Sequence, residues 1–188
     1  MPSTRLWFMV SKAKKASILA ILLFICIFSA PSEVSGQKLS KYYTSALLES
    51  GTLYFILPLD DFQEKETKSR LIFDISYLTG RDSVTINFSY FSSSSNPADS
   101  LSLRSGDCST TCRASKLFID VENHQKWHHR FTAKLPFSGL ACFFNAPLPP
   151  EIIITTQDDH LIYRVRKGHW KKQGSIISSI IQLIQANS

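Results

Sequence analysis

From Leu53 onward, apolar residues recur at every second position, the period at which a strand sends side chains alternately to the two faces of a sheet. Thr52 to Leu57 is the first candidate strand, ended by Pro58. Leu71, Phe73, Ile75 and Tyr77 then alternate with Asp74 and Ser76, and Val84, Ile86, Phe88 and Tyr90 repeat the pattern after Thr79-Gly80-Arg81-Asp82. These two runs predict a hairpin. Two more hairpins are predicted: Lys116 to Glu122 with Trp127 to Leu135 around Asn123 to Lys126, and Glu151 to Thr156 with Leu161 to Lys167 around Gln157-Asp158-Asp159.

The expected fold is mainly β, with about seven strands in an antiparallel β-sandwich or, as the alternative, an open barrel. Between the hairpins, Ser92 to Thr111 is Ser-rich and Pro136 to Pro150 is Pro-rich, and both read as surface loops. Leu140, Phe143 and Phe144 in the second are expected to tuck under the sheet, since large exposed apolar patches are uncommon in monomers.

The period changes to that of a helix at both ends of this β region. Lys38 to Ser50 places Leu39, Tyr42, Tyr43, Ala46 and Leu47 on one helical face and predicts a short N-terminal helix. Ser175 to Ala186 places Ile176, Ile177, Ile180, Ile181 and Ile184 on one face, predicting an amphipathic C-terminal helix that covers the β core. Arg164, Arg166, Lys167, Lys171 and Lys172 stand just upstream with no acid between Leu161 and Ser188, so an anionic surface is the rival partner for this end.

The first residues change the picture of where the chain works. Arg5, Lys12, Lys14 and Lys15 precede an apolar run from Ala16 to Ala30, followed by Pro31, Ser32 and Glu33. Basic, apolar, then polar is the order of an export signal, and the run is shorter than the roughly 20 residues of a membrane-crossing helix. Val34 and Gly36 are the small residues of a cleavage site before Gln37. The expected organisation is therefore a signal peptide over 1–36 and a single secreted or periplasmic β domain over 37–188, with no transmembrane span after signal removal. Four of the 21 basic residues and one of the 15 acids lie in the signal, leaving 17 and 14 and a net charge of +3. Nucleic acid is thus not an expected partner, because such binding usually shows a strongly basic face.

Export favours disulfides over thiolate metal sites. Cys108 and Cys112 with His124 and His128 approach zinc-finger spacing, but a strand over Lys116 to Glu122 would carry the histidines away from the cysteines. No metal site is expected. The predicted disulfide is Cys108 with Cys112, leaving Cys142 buried and free, with Cys112 to Cys142 as the competitor. His128 and His129 would face opposite sides of a strand, and together with His124 they read as a polar turn and strand edge. Asp158-Asp159-His160 reads as turn chemistry.

No Gly-x-Ser-x-Gly, His-Glu-x-x-His or phosphate-cradling loop occurs, so no catalytic or cofactor-binding residue and no cofactor is predicted. Asn87-Phe88-Ser89 fits a glycan acceptor on an outward strand face. The expected function is a noncatalytic binding or assembly module of the cell envelope, with a protein or envelope component as partner. The alternative is an envelope hydrolase with an unrecognised carboxylate pair, for which Asp74, Asp120 and Glu122 are the candidates unless each points singly into solvent.

Overall fold

The computed structural model describes residues 39–122, 126–165 and 167–187. The expected export signal and cleavage site fall outside them. Nine strands form in chain order: β1 (Tyr43–Leu48), β2 (Gly51–Glu64), β3 (Arg70–Leu78), β4 (Ser83–Ser92), β5 (Ala98–Ser105), β6 (Cys108–Glu122), β7 (Lys126–Pro136), β8 (Glu151–Thr156) and β9 (His160–Val165). Two helices accompany them, α1 (Phe137–Asn145) between β7 and β8, and α2 (Lys167–Ala186) after β9.

All pairings are antiparallel, in the order β1-β2-β3-β4-β7-β6-β5-β8-β9, and β9 pairs back onto β2 through Phe62 with Val165 and Glu64 with Tyr163. That last pairing closes β2 to β9 into an eight-stranded barrel, with β1 added outside it on β2. The expected sandwich or open barrel of about seven strands is corrected accordingly. Alternation along one strand cannot distinguish these architectures, because closure depends on the pairing of β2 with β9, roughly a hundred residues apart in sequence.

Residues predicted to face inward do so. Leu71, Phe73, Ile75 and Tyr77 of β3 and Val84, Ile86, Phe88 and Tyr90 of β4 are buried in one core, which Phe131, Ala133 and Leu135 of β7, not singled out from the sequence, join. Antiparallel order puts the segments 65–69, 93–97 and 157–159 at one end of the barrel, and 79–82, 106–107 and 137–150 at the other. α1 packs at that second end, with Leu140, Phe143 and Phe144 buried.

Three local expectations are corrected. The N-terminal helix is instead β1, paired from Tyr43 with Ile56 to Leu48 with Gly51, because a short helical pattern yields to the ladder offered by β2. β2 does not end at Pro58; it continues to Glu64, with register shifts between Ile56 and Leu59 and between Leu59 and Phe62 that absorb a residue lacking an N–H. The two predicted loops hold β5 and α1. Small inward residues, Ala98 and Ser105, disguised β5 as Ser-rich irregular chain.

The C-terminal helix is as predicted on its apolar face and starts earlier, at Lys167. Ile177, Ile180, Ile181 and Ile184 are fully buried. Trp170 lies 5.8 Å from Phe62 of β2 and 5.9 Å from Phe144 of α1, ring centre to ring centre, and so joins barrel and helices. No helix among the described residues is long and apolar enough to cross a membrane.

The disulfide joins Cys108 to Cys142, with Cα atoms 5.7 Å apart, and the predicted Cys108 to Cys112 bond is corrected. Both predicted partners lie on β6, where four residues of extended chain span about 13 Å, too far for any disulfide. Cys142 reaches Cys108 because α1 lies close over β6, where a Cβ on Gly139 would come within 2.3 Å of the Thr110 hydroxyl. Among the described residues, Cys112 is the free thiol. It donates to the Leu101 carbonyl at 3.4 Å, and burial pushes its pKa up to about 11.

Candidate functional site

The end of the barrel away from α1 holds a cavity of about 360 Å³. Tyr90 from β4 with Leu161 and Tyr163 from β9 line its apolar side; Phe91 also borders it, with its ring on the outer face of the sheet against His128. Strand alternation explains the two tyrosines, which sit at inward positions and are fully buried. Above them the wall becomes polar, with Ser92, Ser93, Ser94 and Asn96 on one side and Asp158 and Asp159 on the other. Exposed Ser93, Ser94, Asp158 and Asp159 set the mouth at the solvent boundary.

Two contacts hold the mouth. Asn96 donates to Asp158 at 2.5 Å, tying the β4–β5 segment to the β8–β9 turn. Within that turn, the Asp159 carboxylate accepts the His160 amide at 2.7 Å and the Asp159 carbonyl accepts the Thr156 amide at 2.9 Å. Asp158-Asp159-His160 therefore serves the turn, as its position at a hairpin tip predicts. Thr67 completes the wall, held by Glu64, whose carboxylate accepts the Thr67 amide and hydroxyl and the Glu66 amide. Desolvation works to raise the Glu64 pKa, but these hydrogen bonds outweigh it and hold the carboxyl below its usual range.

Beneath the polar mouth lie buried polar atoms that the fold does not satisfy. The hydroxyls of Tyr90 and Tyr163 and Nδ1 of His129 are buried without a hydrogen-bond partner. Burial raises the pKa of both phenols well above the ordinary value of 10, so they remain neutral hydroxyls. Ser69 is close enough to Tyr163 to act against that rise, but its own hydroxyl donates to the Phe91 carbonyl at 2.6 Å.

His129 is corrected from a strand-edge residue to a fully buried one inside the barrel. Its Nε2 lies 2.9 Å from the Ser94 carbonyl and 2.8 Å from the Ser92 hydroxyl. A carbonyl only accepts, so Nε2 carries the proton and Nδ1 presents a bare lone pair. Desolvation lowers the His129 pKa against the opposing Ser94 bond, and neighbouring His128 lowers it further. His128 faces the other side of β7, as alternation predicts, against Phe91 and Phe118. His124 falls outside the described residues.

No family model matches this chain, and no curated protein or solved structure matches it. The site is therefore defined by its geometry alone.

The residues singled out from sequence do not gather at this cavity, apart from the Asp158-Asp159 turn. Arg164 lies at the opposite end of β9, where it donates to Glu151 at 2.5 Å; Arg104 also bonds that carboxylate. Arg104 and Arg164 together hold the Glu151 carboxyl below its usual range despite partial burial. Arg164 thus shares an acid from the partner strand with Arg104, a pairing that a linear scan for charge runs does not see. Arg166 falls outside the described residues, and Lys167, Lys171 and Lys172 belong to α2.

Of the carboxylates proposed for sugar cleavage, Asp74 sits on the outer face of β3, where it accepts from Asn87 at 2.8 Å and pairs with Arg130 at 3.4 Å. Arg130 also donates to Ser89. Asn87, the glycan-acceptor asparagine, is therefore part of an outer-face network. Asp120 and Glu122 belong to the last residues of β6 and are not among the residues that line the cavity. Sequence reasoning missed Tyr163, His129 and Asn96 as site residues; the only available signal was the polar residues His129 and Tyr163 at inward positions of apolar strands.

Proposed function

We propose that this chain is an exported, noncatalytic binding module of the cell envelope, and that the cavity at the open end of its barrel is the binding site. The observation that carries the reading is a cavity of about 360 Å³ at the open end of an eight-stranded barrel, with Tyr90, Leu161 and Tyr163 in its wall and Ser93, Ser94, Asn96, Asp158 and Asp159 at its mouth. Eight-stranded barrels are just wide enough to hold either packed side chains or one small ligand. A cavity of this size with an apolar wall and a few convergent polar groups suits a small molecule.

Export is supported by the amino-terminal order of basic, apolar and small residues and fits the Cys108–Cys142 disulfide. Native intact mass spectrometry of the protein recovered from its own host tests both parts. The expected species begins at Gln37 and carries a small molecule that denaturation releases. A chain retaining Met1 overturns cleavage after export, and a chain bare in every native spectrum overturns the binding site.

A further inference from the structure

We infer that two copies of this chain associate through the free edge of β1, which pairs antiparallel with β1 of the other copy about a two-fold axis at Ser45. The interface is separate from the cavity, which no β1 residue lines. β1 stands last in the sheet order and, among the described residues, is paired with β2 alone. Which of its backbone groups are open follows from the ladder. The Leu57 amide donates to the Tyr42 carbonyl at 2.9 Å and the Thr79 amide to the Thr52 carbonyl at 3.0 Å, so over Gly51 to Leu57 the odd-numbered residues face β1 and the even-numbered ones face β3. Thr44, Ala46 and Leu48, opposite Phe55, Leu53 and Gly51, therefore turn their backbone groups toward β2, while Tyr43, Ser45 and Leu47 turn theirs away from it.

A row of open N–H and C=O groups is a template for another strand, and exposed edges are commonly guarded by charged residues or proline. The run Tyr43 to Leu48 contains neither. It carries Leu47, which is 85% exposed, and Leu48 and Phe55 beside it are exposed as well.

The edge is complementary to itself, which selects a second copy over an unrelated peptide. With Ser45 opposite Ser45 of the other copy, Tyr43 falls opposite Leu47 on both sides of the axis, and all three outward-turned residues exchange backbone hydrogen bonds. Tyr43 leans on Tyr54, ring centres 6.0 Å apart, and shares a face of β1 with Leu47. The pairing therefore covers exposed Leu47 with an aromatic ring from the other copy, a stabilising cross-strand contact. Lys41, exposed just before β1, comes beside Glu49, exposed just after it, of the other copy, and does so twice by symmetry. Moving the axis to Thr44 sets Leu47 opposite Lys41, and moving it to Ala46 sets Tyr43 opposite Glu49, so either shift leaves an outward-turned residue without a strand partner.

The test is sedimentation equilibrium of the full oxidised chain from micromolar to millimolar concentration, with amide exchange read by NMR. Pairing along one short strand makes a small interface, of the size that serves weak, transient association. The expected result is a monomer–dimer equilibrium in which the Tyr43, Ser45 and Leu47 amides gain protection as the dimer fills, while those of Thr44 and Ala46 are protected throughout. Ser45→Pro removes a donor that β2 does not use and should abolish the dimer without unpairing β1 from β2. Lys41 and Glu49 of one chain are held about 20 Å apart by the extended strand between them, so they meet only across copies. Lys41→Glu or Glu49→Lys alone should weaken dimerisation about tenfold, and the two together should restore it. A monomer at every concentration, a dimer that Ser45→Pro leaves intact, or a dimer whose Tyr43, Ser45 and Leu47 amides exchange freely overturns the interface. Failure of the double variant to restore the dimer overturns the register centred on Ser45. A chain that stays monomeric alone and comes from its host with a different protein cross-linked to β1 overturns the second copy as its occupant.

Discussion

The rings of Tyr90 and His129 stack face to face inside the barrel, 4.5 Å apart at their centres and 5° from parallel. They are directly opposed in the β4–β7 ladder. Non-adjacent stretches of sequence thereby place a phenol and a neutral imidazole side by side beneath the cavity. Cross-strand aromatic pairs of this kind stabilise sheets modestly, by about 0.2–1 kcal/mol. Their chemical consequence is larger, because the histidine is kept from water.

The first prediction concerns pH. His129 has a folded pKa lowered from the ordinary 6.5, so below that value the unfolded chain binds a proton that the folded chain resists. The stabilising contribution is present above about pH 6.5 and is lost as pH falls through that value toward the folded pKa. Denaturant midpoints measured from pH 7.5 down to pH 5.5 should fall for the native sequence. His129→Phe, which keeps a stacking ring, should flatten the profile; a slope unchanged in the variant would place its origin elsewhere.

Covalent linkage of α1 to β6 is the second. The Cys108–Cys142 bond closes a loop with a sequence separation of 34, for which chain entropy predicts a stabilisation of about 3–4 kcal/mol. Cys142→Ser should lower the unfolding free energy by about that amount, while Cys112→Ser should leave the disulfide intact in non-reducing peptide maps. Because burial pushes the Cys112 thiol pKa up to about 11, alkylation at pH 8 should require unfolding. A map joining Cys112 to Cys108 or to Cys142 would contradict the arrangement.

The third separates a core helix from one held for a membrane or partner surface. Ile180 on α2 is fully buried, so Ile180→Ala should cost about 2–5 kcal/mol in a urea titration. A change below about 0.5 kcal/mol would mean that this face does not belong to the core in solution.

Much of the fold was legible because burial imposes a period on the sequence. Phe73, Ile75, Val84, Ile86 and Phe131 announced their strands and their inward faces, and Ile177 to Ile184 announced α2. Tyr43, Ala46 and Leu47 misled because a helical spacing over so short a segment is overruled by pairing with a neighbouring strand. The site was less legible for a related reason. His129 and Tyr163 look like ordinary polar interruptions of a strand until one knows that strand's neighbours.

What the sequence by itself determined is therefore local: strand character, the sidedness of each strand, and the apolar stripe of α2. All three follow from the fixed geometry of strands and helices, which repeats every few residues. Tertiary structure alone decided the closure of β9 on β2, the pairing of Cys108 with Cys142, the ion pair of Arg164 with Glu151, and the meeting of Tyr90, Tyr163 and His129 inside the barrel. Each joins residues well separated in sequence through the register of a closed sheet or the packing of a helix on it. The hydrophobic effect that drives such burial is non-directional, so the apolar pattern says which faces go inward but not which residues meet there.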